Sequence, residues 1–323
     1  MKKLLSALLA CGMILTGCGS TTSTTDKSKV KIGVIQYMQH DALDAAYKGF
    51  KQVLVKAGYK ASNITYKNAS GESSNCETIA DQLVNDGNDL IYAIATPAAQ
   101  AVAKKTKDIP IVVCAVTDPA SAKIVKTNKK PGNNVTGASD LTPVAEQIKL
   151  LKQLLPNAKT VAIMYAGNES NSEYQANIAK KEITKNGLKY IVKTVSDSND
   201  IQAVTDSIVG KADAVYIPTD NLLASNMPTV VQTTNANKIP VIVGEEGMAK
   251  KGGLATYGIN YLNLGKLAGQ QAVKILEGKS KPATMPIEYL SASDCVLTIN
   301  KTEVTKLGVT VPASLDKKAT YVK

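Results

Sequence analysis

The chain of 323 residues has a formal net charge of +11, and all 38 of its basic residues are lysines. Tryptophan is absent, and phenylalanine and histidine occur once each. Lysines spread along the chain without stacking aromatics argue against nucleic-acid binding. One histidine, with no nucleophile elbow, Walker loop or His-Glu-x-x-His motif, argues against an enzyme.

The first 29 residues predict export and membrane anchoring. An apolar stretch from Leu4 to Leu15 follows two lysines, and it is shorter than the roughly 20 residues that a membrane span needs, so it favours a secretory signal. The sequence Leu-Thr-Gly-Cys ending at Cys18 resembles a bacterial lipobox, which implies removal of residues 1–17 and lipidation of Cys18. An ordinary signal with a chance cysteine is the alternative. Residues 18–29 are small and polar, which is typical of a flexible tether. We expect a lipoprotein on the outer face of the cell membrane.

The remaining cysteines predict neither disulfides nor a metal site. Cys76, Cys114 and Cys295 stay in the mature chain, and none belongs to a Cys-x-x-Cys arrangement. Such a set supports no disulfide framework and no zinc site. Cys114 stands inside an apolar run and is expected to be a small core residue. No cofactor is predicted.

Two stretches indicate that the chain repeats one structural unit. "DLIYAIATPAAQA" (89–101) and "DAVYIPTDNLLAS" (213–225) each contain an apolar strand, a polar turn and a helix start. Each is followed by a strand that begins with Ile-Pro, at Ile109 and at Ile239. Short apolar strands alternating with amphipathic helices are typical of parallel sheets covered on both faces. We therefore predict an α/β fold with two similar, doubly wound lobes, and a ligand outside the carboxyl ends of the strands.

Several crossings join the predicted lobes. The mature chain exceeds the roughly 250 to 300 residues at which a single core stops growing, so two domains are expected. Segments 131–143 and 252–265 have the length and apolar content of crossings rather than free linkers, and a third crossing follows near residue 286. The predicted N-terminal lobe comprises residues 30–138 and 259–286, and the C-terminal lobe residues 139–258 and 287–323. We expect a monomer with a multi-crossing hinge.

A set of motifs in these segments indicates a family. They are "IGVIQYMQHDALDAAYKGF", "TPAAQA", "VTDP", "PGNNVTG", "NESNSEYQ", "PTDN" and "ATYGINYLNLGKLAG". Together they resemble the ABC-transporter substrate-binding lipoproteins of the tryptophan/tyrosine-binding type, over essentially the whole mature chain. The resemblance implies the periplasmic-binding-protein type I fold, capture of an aromatic amino acid by lobe closure, and delivery to an ABC permease.

In the first lobe, the sequence predicts a site for the ligand carboxylate. Thr96 is expected to cap a helix with Pro97 at its first position, which leaves N–H groups such as that of Ala98 unpaired. Such a terminus attracts anions, and no arginine is available for a bidentate clamp. Thr96 as a plain helix cap is the alternative. Neighbouring strand ends and the first crossing add further polar groups, from Thr117, Ser139 and Asp140.

In the second lobe, the strand ends are acidic. Asp220, Asn221 and Glu245 stand where a ligand ammonium would seek a partner, and for Glu245 this expectation comes from fold analogy. A plain helix cap is the alternative for Asp220. A carboxylate site on one lobe and an ammonium site on the other match a zwitterionic amino acid.

A ring pocket is predicted at the end of the first strand. Gln36 and His40 are expected to bond a polar group on the ligand ring, with Tyr37 and Tyr257 as flat walls. The polar helix start of the second lobe is expected to close over this pocket through Ser170, Asn171 and Ser172. A buried polar group left unpaired costs about 1 to 3 kcal/mol, so tyrosine or tryptophan is favoured over phenylalanine.

Two alternatives remain open. A lysine-rich surface lipoprotein could act as an adhesin towards anionic host or matrix polymers, possibly in addition to transport. The same fold could also take a sugar or nucleoside. Sugar pockets of this fold usually stack aromatic rings from both lobes, and this chain has no tryptophan.

Overall fold

The computed structural model describes residues 26–291 and 294–323. The predicted signal, the lipidation site Cys18 and residues 18–25 of the tether lie outside the described residues. Within these two ranges, no helix combines the length and the apolar character that a membrane crossing requires.

Strands and helices alternate along nearly the whole described chain. The strands are β1 Ile32–Gln36, β2 Ile64–Asn68, β3 Leu90–Ile94, β4 Ile111–Cys114, β5 Val135–Ser139, β6 Thr160–Ala166, β7 Lys189–Val195, β8 Ala214–Ile217, β9 Val241–Val243, β10 Ala255–Gly258, β11 Glu288–Tyr289, β12 Val296–Asn300 and β13 Thr320–Val322. The helices are α1 Asp41–Lys56, α2 Ser73–Asn85, α3 Thr96–Lys105, α4 Val144–Leu154, α5 Ser170–Lys185, α6 Asp200–Asp206, α7 Asn221–Ser225, α8 Met227–Ala236, α9 Glu246–Lys250, α10 Tyr261–Leu276, α11 Lys301–Leu307 and α12 Ala313–Asp316. Short 3-10 turns lie at Ala61–Asn63 and Pro282–Thr284.

The strands form two sheets. The first has the order β11-β5-β4-β3-β1-β2, and the second has the order β13-β12-β10-β9-β8-β6-β7. Every strand pair in the first sheet is parallel. In the second sheet only β10 and β12 run antiparallel. This arrangement confirms the predicted α/β class with two doubly wound, mostly parallel sheets.

Helices on both faces explain the apolar strands. All residues of β1 and β3 are buried, as expected for strands covered on both sides. In β6, Ile163 belongs to one apolar cluster and Met164 to another, because successive side chains of a strand point to opposite faces. The second sheet therefore separates two cores.

Helix α10 packs closely against α1 through glycines. A Cβ atom built on Gly265 would lie 1.9 Å from the carbonyl oxygen of Ala46, and one built on Gly49 would lie 2.1 Å from that of Leu262. Backbone therefore meets backbone at this contact. Because α1 and α10 both begin beside the space between the lobes, their separation affects the position of the residues there.

Two predicted lobe boundaries need correction. Strand β11 pairs with β5, so that Glu288 faces Ala138 and Tyr289 faces Ser139. Ser139 and residues 288–289, which the sequence assigned to the C-terminal lobe, therefore lie in the first sheet. The physical reason is that β11 adds a parallel strand to the β5 edge, so the chain leaves this sheet only after Ser139 and after Tyr289.

Candidate functional site

A cavity lies between the lobes, where strands of both sheets end. Its accessible volume is about 10 Å³, so the lobes leave room for little more than one water molecule between them. Its polar lining comes from the first lobe through His40, Asp140 and Tyr261, and from the second lobe through Asn171, Thr219, Asp220, Asn221 and Glu245. The position agrees with the rule that parallel sheets bind ligands outside their carboxyl ends.

The backbone beside this cavity is strained. Ala95 has φ 77° and Ala115 has φ 55°, and each directly follows a strand of the first sheet. Non-glycine residues seldom adopt this region, and such strain concentrates at ligand sites. Ala115 lines the cavity.

The two lobes touch each other across the cavity. His40 Nε2 lies 3.2 Å from Asn221 Oδ1, and Gln175 Nε2 donates to Thr117 Oγ1 over 3.2 Å. Nearer to solvent, Lys251 Nζ lies 3.6 Å from Asp41 Oδ2. These contacts hold the lobes in a closed arrangement.

Asp220 lines the cavity and also caps a helix. Its Oδ1 accepts from the N–H of Leu223 at 2.8 Å, and its Oδ2 accepts from the N–H of Ala166 at 2.7 Å. The side chain is buried, and this burial raises the pKa of the carboxyl. Asp220 therefore caps a helix, as the alternative interpretation predicts, and it also lines the cavity.

Glu245, like Asp220, lines the cavity and also caps a helix. Its Oε2 accepts from the N–H of Gly247 at 2.5 Å, and its Oε1 accepts from the N–H of Met248 at 2.7 Å, at the start of α9. Burial raises the pKa of Glu245 to about 7, although the two N–H groups oppose this shift. It lines the cavity beside Tyr261.

An acidic group also comes from the first lobe. Asp140 Oδ1 accepts from the Thr117 hydroxyl at 3.2 Å, and its Oδ2 accepts from the Tyr261 hydroxyl at 2.9 Å. Burial raises the pKa of Asp140. Asp140, which the sequence predicted among the polar groups for the ligand carboxylate, is thus a buried acceptor for hydroxyl donors.

Glu169 does not line the cavity but bonds Asn171 and Asn221, which do, and the sequence interpretation missed it. Its Oε2 accepts from Asn221 Nδ2 at 2.5 Å and from Asn171 Nδ2 at 3.0 Å, and its Oε1 accepts from the N–H of Leu222 at 3.2 Å. Burial, together with the neighbouring Asp220, raises the pKa of Glu169. It directly precedes α5, whose N-cap makes no side-chain hydrogen bond.

The predicted carboxylate site differs from the expectation. Ala95, not Thr96, is the N-cap of α3, because the Ala95 carbonyl accepts from the N–H of Ala99 at 3.0 Å. Thr96, Pro97 and Ala98 do not contribute to the cavity lining. The Thr96 hydroxyl is nevertheless buried without a hydrogen-bond partner.

Three other predicted site residues, Gln36, Ser139 and Ser172, are not part of the cavity lining, but each is hydrogen-bonded. Gln36 Nε2 donates to the Met38 carbonyl at 2.9 Å and to Asp44 Oδ1 at 2.7 Å. Ser139 Oγ donates to the Thr117 carbonyl at 2.7 Å. Ser172 is buried and its Oγ lies 3.1 Å from Asn171 Nδ2.

The tyrosines and Ser170 are placed differently. Tyr37 is buried, and burial together with Glu169 raises the pKa of its hydroxyl. Tyr257 does not reach the cavity, because β10 pairs it with Leu297 and its ring lies against the core of the second lobe. Tyr261, four residues later at the start of α10, lines the cavity instead. Ser170 is exposed.

Within the described part of the chain, the buried carboxylates at the site form no salt bridge, although the charge of Lys251 acts to lower the pKa of Glu245. Within residues 26–291 and 294–323, no salt bridge involves any of the four acids at the site, which are Asp140, Glu169, Asp220 and Glu245. The same ranges contain no cluster of histidine, cysteine and acidic side chains suited to a metal ion. The site is therefore rich in acceptors for a small cation or hydrogen-bond donor.

Known proteins resemble this chain closely. The family model described as ABC transporter substrate binding protein matches residues 31–323. A protein named tyrosine-binding protein from Clostridioides difficile (strain R20291) is 41% identical over 311 residues, which cover 92% of this chain and 90% of that protein.

Two solved structures bear on the arrangement of the lobes. An ABC domain from Streptococcus pneumonia in complex with L-Trp superposes with a TM-score of 0.88 at 40% identity, over 92% of this chain and 100% of that one. The ligand-free, open structure of a substrate-binding protein with adhesive properties from Clostridium difficile gives a TM-score of 0.70 at 43% identity, over 91% and 99%. At similar identity, the lobes match the complex better than the open form.

Proposed function

Because the chain belongs to the ABC transporter substrate-binding protein family and has the periplasmic-binding-protein type I fold, we propose that it captures an aromatic amino acid between its lobes. Tyrosine or tryptophan is favoured over phenylalanine, and the ligand is delivered to an ABC importer. The relatives named for tyrosine and crystallised with L-Trp support this ligand class. Membership of a substrate-binding family also agrees with a role that is not enzymatic.

One observation carries the proposal: buried carboxylates without a cationic partner face an enclosed cavity. Glu245 uses two backbone donors, whereas Asp220 is bonded by the N–H groups of Ala166, Leu222 and Leu223 and by Ser172. A carboxylate offers about four acceptor positions, so Glu245 keeps the greater capacity. The ammonium of an amino acid would occupy the remaining positions and offset the burial of negative charge.

For the ligand carboxylate, we propose the N-terminus of α3. The first N–H groups of a helix lack partners within it and attract anions. The Thr96 hydroxyl is an independent pointer, because it is 1% exposed and has no partner. Since no arginine exists in the chain, a bidentate guanidinium clamp is not available, and this terminus would hold the carboxylate through amides and the Thr96 hydroxyl.

The proposal extends to the cell surface. The substrate-binding family acts outside the cytoplasm, and we propose that Cys18 carries a lipid that anchors a monomeric protein to the outer face of the membrane. The permease partner would then lie in the same membrane. Mass spectrometry of the protein from native membranes should detect a lipid-modified N-terminal Cys18, and an unmodified, cleaved N-terminus would contradict the anchor.

Calorimetry on the purified protein tests the ligand class. We expect tyrosine and tryptophan to bind, phenylalanine to bind at least about tenfold more weakly, and leucine and ribose to give no heat. Native mass spectrometry of the protein as purified should show a carried-over amino acid. Binding of ribose without any aromatic amino acid would overturn the proposal.

Ligand affinity should depend on pH through Glu245. Its pKa is raised to about 7 by burial, and a nearby ammonium favours the ionised carboxylate, so binding releases protons. We expect the affinity for tyrosine to rise about tenfold between about pH 5 and about pH 8. Glu245→Gln should bind more weakly and show a flatter profile, whereas a wild-type profile without slope would exclude this coupling.

The same shift predicts a pH dependence of stability. A carboxyl whose pKa is raised by folding stabilises the protein below its unfolded-state pKa, and this contribution is lost as the pH rises through the folded-state value. For Glu245, this stabilising contribution is lost as the pH rises to about 7. We expect the melting temperature of the unliganded protein to fall between about pH 5 and about pH 8, and saturating tyrosine to reduce the fall.

Adhesion is a second candidate function. A relative at 43% identity is described as a substrate-binding protein with adhesive properties, and this chain carries a net charge of +11 without arginine. Salt-sensitive binding of the purified protein to host cells, unaffected by Asp220→Ala, would support a separate adhesive surface. Normal adhesion by cells that lack the protein would exclude it.

A further inference from the structure

Asn221 connects a buried carboxylate of the second lobe to the histidine of the first. Its Nδ2 lies 2.5 Å from Glu169 Oε2, and its Oδ1 lies 3.2 Å from His40 Nε2 across the interface between the lobes. His40 is the only histidine in the sequence. All three side chains are buried.

Glu169 determines which way the Asn221 amide faces. Its Oε2 also accepts from the N–H of Asn221 at 3.3 Å and from Asn171 Nδ2 at 3.0 Å, and its Oε1 accepts from the N–H of Leu222 at 3.2 Å. Because Glu169 faces donors on every side, Asn221 must present its NH₂ group to the carboxylate and its oxygen to His40.

This orientation fixes the proton on His40. The oxygen of an amide only accepts, so Nε2 must carry the hydrogen. Burial lowers the pKa of His40 to about 4, which leaves the ring neutral near pH 7, with a lone pair on Nδ1. That Nδ1 is buried without a partner, and the ring lines the cavity.

We propose that Glu169 and Asn221 hold His40 in its Nε2–H tautomer, so that His40 Nδ1 accepts a hydrogen bond from the bound ligand. Glu169 and Asn221 are positioning residues, and His40 is the residue that contacts the ligand. The inference rests on the proposed function for the identity of that ligand. An amino acid offers two kinds of donor, namely a phenol O–H or indole N–H on the ring and the α-ammonium.

The tautomer can be read directly, because a single histidine gives a single pair of ring nitrogen signals. In ¹⁵N-histidine-labelled protein saturated with tyrosine, long-range ¹H–¹⁵N spectra should show Nε2 protonated and Nδ1 unprotonated, with the Nδ1 signal shifted on ligand binding. Glu169→Gln should give a mixture of tautomers, since a glutamine amide can donate or accept. Glu173→Gln, in the first turn of α5 with an exposed side chain, should behave like wild type.

A ligand series distinguishes the two donors. Tyrosine and 4-aminophenylalanine donate from the ring, whereas 4-fluorophenylalanine fills a similar volume without donating. If the ring is the donor, the first two bind wild type about tenfold more tightly than the fluoro compound, and His40→Phe abolishes the difference. If the ammonium is the donor, His40→Phe weakens all three compounds by a similar factor.

The outcomes separate this inference from the proposed function. An Nδ1–H tautomer in wild type, or unchanged affinities for all three compounds in a folded His40→Phe variant, would overturn the inference while binding itself persists. Absence of binding by any aromatic amino acid would overturn the proposed function. In that case the tautomer is still read on the unliganded protein, where an Nδ1–H ring again contradicts the inference.

Discussion

Replacing Asp220 with alanine is expected to weaken tyrosine binding by at least about tenfold and to lower the free energy of unfolding by about 2 to 4 kcal/mol. The loss of stability is expected because Asp220 accepts hydrogen bonds from the buried N–H groups of Ala166 and Leu223. Alanine would leave both donors unpaired and would remove a carboxylate from the proposed ammonium site.

Two comparisons separate these effects. Asp220→Asn keeps the side-chain volume and one acceptor, so it should lose most of the affinity with a smaller loss of stability. Asp197→Ala removes an exposed carboxylate that accepts from the N–H of Asn199, and it should change neither quantity much. Calorimetry measures the affinity and urea denaturation measures the stability. Unchanged affinity in both Asp220→Ala and Glu245→Ala would remove the ammonium site.

Replacing Gly265 with alanine adds only one methyl group, yet we expect it to destabilise the protein strongly. The added Cβ would lie 1.9 Å from the carbonyl oxygen of Ala46, and a backbone atom cannot move aside as a flexible side chain can. Relief requires α10 to move away from α1, so we expect a loss of about 3 kcal/mol or more in the free energy of unfolding. Tyrosine affinity should also fall, because α10 begins with Tyr261, whose hydroxyl bonds Asp140.

Gly167 provides the matched control. A Cβ atom there would approach its nearest neighbour, Thr194, only to 3.5 Å, which is ordinary contact. Gly167→Ala should therefore stay within about 1 kcal/mol of wild type. Equal stability of the Gly265 and Gly167 variants would contradict the close contact between α1 and α10.

The fold could be predicted from the sequence because its signals are local. Runs such as residues 90–94 and 111–114 are apolar at every position, as buried parallel strands require, and the first is followed by a helix. The antiparallel partner of β10 and the short strand β11 escaped prediction, because pairing between distant segments leaves no local pattern.

The site could be predicted only in part. The positions of Asp220, Asn221 and Glu245 at the cavity could be predicted because these residues follow shortly after apolar strands. Glu169 was missed because its burial results from the approach of Asn221, which lies far away in the sequence. Tyr257 and Tyr261 occupy one crossing segment, and only the change from strand to helix between them decides which ring reaches the cavity.

If the chain delivers a ligand to a transporter as proposed, the few contacts between its lobes affect the rate of that delivery. They comprise neutral hydrogen bonds such as His40 to Asn221 and Gln175 to Thr117, and a partly exposed pair of Lys251 and Asp41. Each such contact contributes about 1 kcal/mol or less. We therefore expect a bound ligand to supply most of the free energy that keeps the two lobes closed. A variant with stronger contacts between the lobes would hold its ligand longer. Its affinity would rise, but transport would become slower, because release of the ligand to the transporter would become the slow step.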